Sequence, residues 1–145
     1  MRKPTLKPQV AVSIAARNAD NGAFLLVKRG RAPSKGKWAF AGGRVEFGET
    51  LVDAAIRELH EETGLVASNV TFFAPVEIIN NDAGADYHYI LCVHTGTARG
   101  TPIAGDDAAD VRWVALEDFD DFDVTDSTLD FAQRIARRDQ SSNCD

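Results

Sequence analysis

The sequence predicts an α/β domain with a central mixed β-sheet held between helices. Three observations predict it. Short apolar stretches bounded by turn residues recur from Val10 to Ala115. A helix-patterned segment, Thr50 to Thr63, interrupts them, and a second one starting at Asp126 follows the last. Mixed strands and two well-spaced helices satisfy each other by packing in layers, with the sheet between the helices. At 145 residues, with 44% hydrophobic and 26% charged side chains, the chain has the size and mix of one domain with a real core, spanning 1–145.

Val10 to Ala16 reads as a buried strand, and Ala23 to Arg29 as a second. The Asn- and Gly-rich run Asn18 to Gly22 between them makes a hairpin turn. Arg31 to Lys37 is a basic loop. Thr50 is a good helix N-cap, with Asp53 three residues on, and Gly64 is a natural stop. Val52, Ala55, Ile56 and Leu59 form the helix's apolar stripe, beside its glutamates. Gly42, Gly43 and Gly48 belong to a loop leading into it. Val70 to Asn80 and Tyr87 to Thr97 form a second strand pair around Asn80-Asn81-Asp82-Ala83-Gly84, and Val111 to Ala115 is a short strand. Asp126 caps a last helix, with Leu129, Ala132, Ile135 and Ala136 inward, and a disordered tail occupies 139–145.

A net charge of −6 argues against nucleic-acid polymers and anionic membranes as partners. It leaves nucleotides open, because a bound metal inverts the local sign. Cys92, in an apolar strand, reads as a buried thiol, and Cys144 lies in the tail; neither suggests a zinc site or a disulfide framework. The basic N-terminus leads into no signal-peptide core and no run is long enough to span a bilayer, so a cytoplasmic protein is expected.

The chemistry concentrates on the first helix. Glu58, Glu61 and Glu62, spaced i, i+3, i+4, share one helix face. Carboxylates so crowded repel one another. A hard divalent cation, Mg2+ or Mn2+, removes that penalty, since it takes oxygen ligands from few carboxylates plus substrate phosphates. Without further context such a face is an ordinary solvated one.

The context is the set Gly43, Glu49, Arg57, Glu58, Leu59, Glu61, Glu62, Gly64 and Leu65, nine fixed positions over 23 residues. It resembles the Nudix box of the Nudix hydrolase family at every fixed position, and Lys37-Trp38-Ala39-Phe40 resembles the strand that enters the box. Ala41 departs from the proline common before the glycine pair. The resemblance implies a Nudix fold, an α/β/α sandwich around a mixed sheet, and Mg2+-dependent hydrolysis of a nucleoside diphosphate linked to another moiety. It implies that Glu58, Glu61 and Glu62 ligate metal, helped by a backbone carbonyl at Gly42-Gly43, and that Glu49 and Arg57 form a bracing ion pair. Many members carry an acidic residue before a stretch like Arg112-Trp113, which makes Asp107 and Asp110 catalytic candidates.

The layout from Tyr87 to Trp113 is similar to that of bacterial ADP-ribose pyrophosphatases, so ADP-ribose or a related nucleotide-sugar is the first expectation for the substrate. A proline often found about fifteen residues after the box in that group is absent; Pro75 comes ten after Leu65. The alternatives are a (deoxy)nucleoside triphosphate pyrophosphohydrolase and a non-catalytic nucleotide sensor. Isoprenoid diphosphate isomerisation, which also uses this fold, ranks low. A homodimer is common among such proteins. For substrate contacts, Arg29, Trp38, Phe47, Tyr87, His88 and Tyr89 are candidates, weighed against plain core packing or surface charge. The same balance applies to Phe122, Arg31, Lys35 and Lys37, and His60 reads as structural.

Overall fold

The computed structural model describes residues 7–31, 34–80 and 87–142. Its strands are β1 (Gln9–Asn18), β2 (Phe24–Arg29), β3 (Trp38–Ala39), β4 (Ala41–Arg44), β5 (Ser68–Asn80), β6 (Tyr87–Ala98) and β7 (Ala108–Val114). Two α-helices, α1 (Leu51–Thr63) and α2 (Asp126–Ser142), and a 3-10 helix at Leu116–Asp121 complete it.

All seven strands form one mixed sheet with β1 at its centre. One edge of β1 runs parallel to β6 along its whole length, Gln9↔Tyr89 to Asn18↔Ala98. Its other edge is shared. The turn end pairs antiparallel with β2 at Arg17↔Phe24, and the opposite end pairs antiparallel with β4, Ala11↔Arg44 to Ile14↔Ala41. The first hairpin is therefore short, because β2 leaves β1 and goes on to pair with β7. In the turn, the Asn18 side chain accepts hydrogen bonds from the backbone N–H groups of Asp20 and Asn21 at 2.8 and 3.3 Å. Gly42 and Gly43, expected in a loop, are strand residues of β4. A Cβ on Gly42 would come within 2.3 Å of the Val12 carbonyl oxygen, so glycine lets β4 lie close against β1.

Strand alternation sends side chains to two cores. Val12, Ile14, Leu25 and Val27 meet Ala54, Ala55 and Leu59 of α1 on one face. Ala15, Phe24 and Leu26 meet Phe131, Ala132 and Ile135 of α2 on the other, giving the α/β/α sandwich.

Thr50 caps α1 by accepting from the Asp53 N–H at 3.1 Å, and Gly64 ends it at φ 76°. The stripe differs from the expected one. Val52 is exposed and Ala54 is fully buried. Glu62 lies two turns beyond Ala55, hence on the same arc as Ala55 and Leu59. It is half-buried, partly beneath the helix and not simply beside its apolar face.

The cap of α2 is Thr125 rather than Asp126: its Oγ1 accepts from the Thr128 N–H at 3.4 Å. The helix also runs on past Arg138 to Ser142, where a disordered tail was expected. Arg17 pairs with Asp139 at 2.9 Å, and the Arg138 guanidinium sits 5.0 Å from the Phe73 ring centroid, so the last turns are tied to the sheet. The 3-10 helix, unforeseen from the sequence, buries Phe119 edge-on against Phe24 at 5.8 Å. Cys92 is buried, which pushes its thiol pKa up. Cys144 and most of the turn after Asn80 lie outside the described residues. No helix among the described residues is long and apolar enough to cross a membrane.

Candidate active site

Arg57 organises the acidic helix. Its Nε donates to Glu49 Oε2 at 2.7 Å and its Nη2 to Glu49 Oε1 at 2.9 Å, a two-pronged pair. Nη2 also donates to the Arg44 carbonyl at 3.1 Å, tying β4 to α1. Nη1 reaches Glu58 at 2.9 Å and Glu61 at 3.2 Å. Glu49 further accepts from the Glu46 N–H at 3.0 Å. The Arg57 hydrogen bonds, then this backbone one, hold the Glu49 carboxyl down at about 2.

Glu62 points the other way, accepting from the Gly42 N–H at 2.9 Å. Burial pushes its carboxyl up to about 8 against the pull of that hydrogen bond, and the negative charges of Glu58 and Asp106 add to the rise. Burial also raises Glu58, offset by Arg57. Glu61 is the most open of the three, with 43% of its side chain exposed against 12% for Glu58. The Glu58 carboxyl lies over Gly43: a Cβ there would be 2.5 Å from it.

The loop between β6 and β7 closes the cluster. Ile103 N–H donates to the Thr63 carbonyl at 2.9 Å and Gly105 N–H to the Glu62 carbonyl at 3.0 Å. Gly30 N–H then holds the Asp107 carbonyl at 3.0 Å. These bonds fasten the loop onto the last turn of α1 and bring Asp106, at φ 50°, into the electrostatic field of Glu58 and Glu62.

Glu58, Glu62, Asp106 and Asp107 line a cleft of about 710 Å³. Arg29, Arg31 and Arg44 also line it, as do Tyr87 and Tyr89, whose ring centroids are 5.6 Å apart. Phe40, Leu91, Val93 and Phe131 give it apolar walls, and Thr125, Ser127 and Thr128 bring the start of α2 to its rim.

The structure sorts the remaining candidates. Asp107 lines the cleft and pairs with Arg31. Asp110 is not among the lining residues. Its oxygens accept from the Val111 N–H at 2.8 Å and from Arg112 Nε at 3.2 Å, and 42% of its side chain is exposed. Trp38 is also outside the cleft, buried and packed edge-on against Phe122 at 5.2 Å. Phe47 is fully exposed beside a separate shallow depression. His88 sits between Tyr87 and Tyr89 in the strand, so it faces the opposite side, with Nε2 3.9 Å from Glu77. His60 is exposed on α1, and Lys35 and Lys37 do not line the cleft. Asp106 is the residue that sequence reasoning passed over. Only the backbone bonds of its loop, formed with residues distant in sequence, place it.

Hard carboxylate oxygens crowded enough to raise one another's pKa suit a hard divalent cation. Among the described residues no three acidic, histidine or cysteine side chains yet converge as a finished cage, and Arg57 holds two of the glutamates aside.

The family model for the NUDIX domain matches residues 7–135. An ADP-ribose pyrophosphatase of Methanocaldococcus jannaschii is 32% identical over 117 residues, 80% of this chain and 68% of that protein. A nucleoside triphosphatase NudI of Enterobacter sp. is 32% identical over 126 residues, 79% of this chain and 89% of that protein. Among solved structures, a MutT NUDIX hydrolase from Burkholderia pseudomallei superposes with a TM-score of 0.71 at 29% identity, covering 84% of this chain and 93% of that one. With a family match over nearly its whole length, and pyrophosphate-cleaving enzymes among its relatives, this chain belongs to the Nudix hydrolase family.

Proposed function

We propose that the protein is a Mg2+-dependent hydrolase that cleaves the pyrophosphate of ADP-ribose or a related nucleotide-sugar, giving a nucleoside monophosphate and a sugar phosphate. The observation that carries this reading is one continuous cleft joining the acidic cluster to the Tyr87–Tyr89 pair and the apolar walls. Its size suits a ligand with an organic group on each side of the pyrophosphate.

Glu58, Glu62 and Asp106 would hold the cation, with Glu61 joining once released from Arg57. When bound there, such a cation would supply neutralisation of pyrophosphate charge and a lowered pKa for the attacking water. Arg29, Arg31 and Arg44 meet phosphate oxygens. One carboxylate of the cluster takes the water proton. Tyr87 and Tyr89 offer ring faces to a base or sugar.

A second reading, a nucleoside triphosphate pyrophosphohydrolase, is favoured by the likeness to NudI, which covers 89% of that protein. The test is a panel of ADP-ribose, NADH, nucleotide-sugars, dinucleoside polyphosphates and nucleoside triphosphates with Mg2+, with products resolved by chromatography and a chelator control. AMP with a sugar phosphate supports the first reading. Inorganic pyrophosphate supports the second. Nucleotide binding without turnover of any compound would leave a sensor and overturn both.

A further inference from the structure

Ser13 is out of character with its surroundings. Its neighbours Val12 and Ile14 point into the α1 core, so Ser13 faces the other side of the sheet, where it lines the cleft. Only 7% of the residue is exposed, and Oγ has no hydrogen-bond partner. A buried hydroxyl left unpaired has given up its hydrogen bonds to water and regained none.

The surroundings say what it serves. Ser13 pairs with Gly42 in β4 and Val93 in β6. Ala11, on the same face of β1, also lines the cleft, so small side chains floor it there. Phe40, Leu91, Val93 and Phe131 wall it. The nearby hydroxyl of Thr128 already receives a hydrogen bond from Thr125 at 2.7 Å. A floor of small side chains, apolar walls and a buried hydroxyl without a partner match an aromatic heterocycle with a polar edge. They do not match a phosphate, whose charge would call for an arginine or lysine. A serine hydroxyl swings among three staggered positions, so it can donate or accept.

We propose that Ser13 is a specificity-determining residue whose hydroxyl hydrogen-bonds a polar edge atom of the substrate's nucleobase. This rests on the nucleotide-hydrolase reading above. The partner it lacks within the protein is then supplied by the ligand, and a site built this way discriminates against bases that cannot complete the bond.

The test is calorimetric binding of AMP, GMP, CMP, UMP and base-free ribose 5-phosphate to the wild type and to Ser13→Ala, with thermal melting of both. For the nucleotide the wild type prefers, Ser13→Ala should weaken binding roughly tenfold. Ribose 5-phosphate should bind both proteins alike, and the ligand-free variant should melt at or above the wild-type temperature, since an unpaired polar group has been removed. Equal weakening for ribose 5-phosphate would place the hydroxyl on sugar or phosphate and overturn the proposal. So would unchanged nucleotide binding, or a lower melting temperature. If the wild type binds none of the nucleotides, the functional reading itself fails, a result distinct from any effect of the variant.

Discussion

Gly43 and Glu58 are in contact through an absence: a methyl group on Gly43 would lie 2.5 Å from the Glu58 carboxyl carbon and its nearer oxygen. The backbone of Gly43 is an ordinary strand segment, paired with Val12, and it lacks a positive φ. The glycine is therefore needed for space and not for conformation. What it makes room for is the end of a flexible side chain, which can move aside at little cost. Gly43→Ala should leave the melting temperature within a few degrees of wild type while kcat/KM falls roughly a hundredfold, the usual consequence of an ångström-scale misplacement. A large loss of stability with activity retained would show that the close fit serves packing alone.

Glu49 and Arg57 make the acid limb of the stability curve predictable. The folded-state pKa of Glu49, about 2, is below its ordinary 4.5. A depressed carboxyl contributes stability above the unfolded pKa and loses it as pH falls through the folded one. Its share should vanish between about pH 4.5 and pH 2. Glu49→Gln should be less stable than wild type at pH 7, with the difference shrinking over that window in urea titrations. A constant difference would place the effect in packing.

Glu62 has the opposite sign. Its folded pKa is raised to about 8, so the folded state binds a proton that the unfolded state releases near 4.5. Stability of the metal-free protein should decline from about pH 4.5 to about pH 8 on this account and level off above. Glu62→Gln should flatten that decline and melt at or above the wild type at pH 8, while losing orders of magnitude in kcat. Added Mg2+ should stabilise the wild type more than the variant. A variant that melts lower and still turns over would make Glu62 structural.

The three aspartates before and within β7 should separate. Asp106 faces Glu58 and Glu62 electrostatically, Asp107 is paired with Arg31, and Asp110 is tied to Arg112 outside the cleft. Asp106→Asn should slow kcat by roughly 10²- to 10⁴-fold, the range for a lost acid–base or charge-positioning group. Asp107→Asn should have a smaller effect, and Asp110→Asn should stay within a few-fold of wild type. Steady-state kinetics of the three side by side would decide it. A dominant loss in Asp110→Asn would mean that the loop rearranges in the working enzyme.

Local interactions explain how much could be read in advance. The caps at Thr50 and Gly64, the Asn18 turn, the apolar runs of β1 and β2 and the spacing of Glu58, Glu61 and Glu62 involve residues within a few positions of one another. Glu49 stands just before the cap of α1 and Arg57 about two turns into it, eight residues apart and within reach of the forked pair. Phe47, Trp38 and Asp110 show the converse. An aromatic or acidic residue near a motif in sequence can still point to solvent, core or surface, and only the packing of its neighbours decides.

By itself, then, the sequence determined the longer strands and both α-helices, the sheet between helices, the family and the acidic helix, because periodicity, capping and short-range spacing are local properties of a chain. The tertiary structure alone decided that β4 displaces β2 from half of β1, that Glu62 is drawn partly beneath its helix, that Asp106 joins the cluster, and that Ser13, at the wall of the cleft, keeps a buried hydroxyl with nothing to bond. Each depends on contacts between segments far apart in sequence: Gly42 with Glu62, Gly105 with the end of α1, and β1 with β4 and β6. Such contacts form only when the layers close, and no local pattern records which pairs will meet.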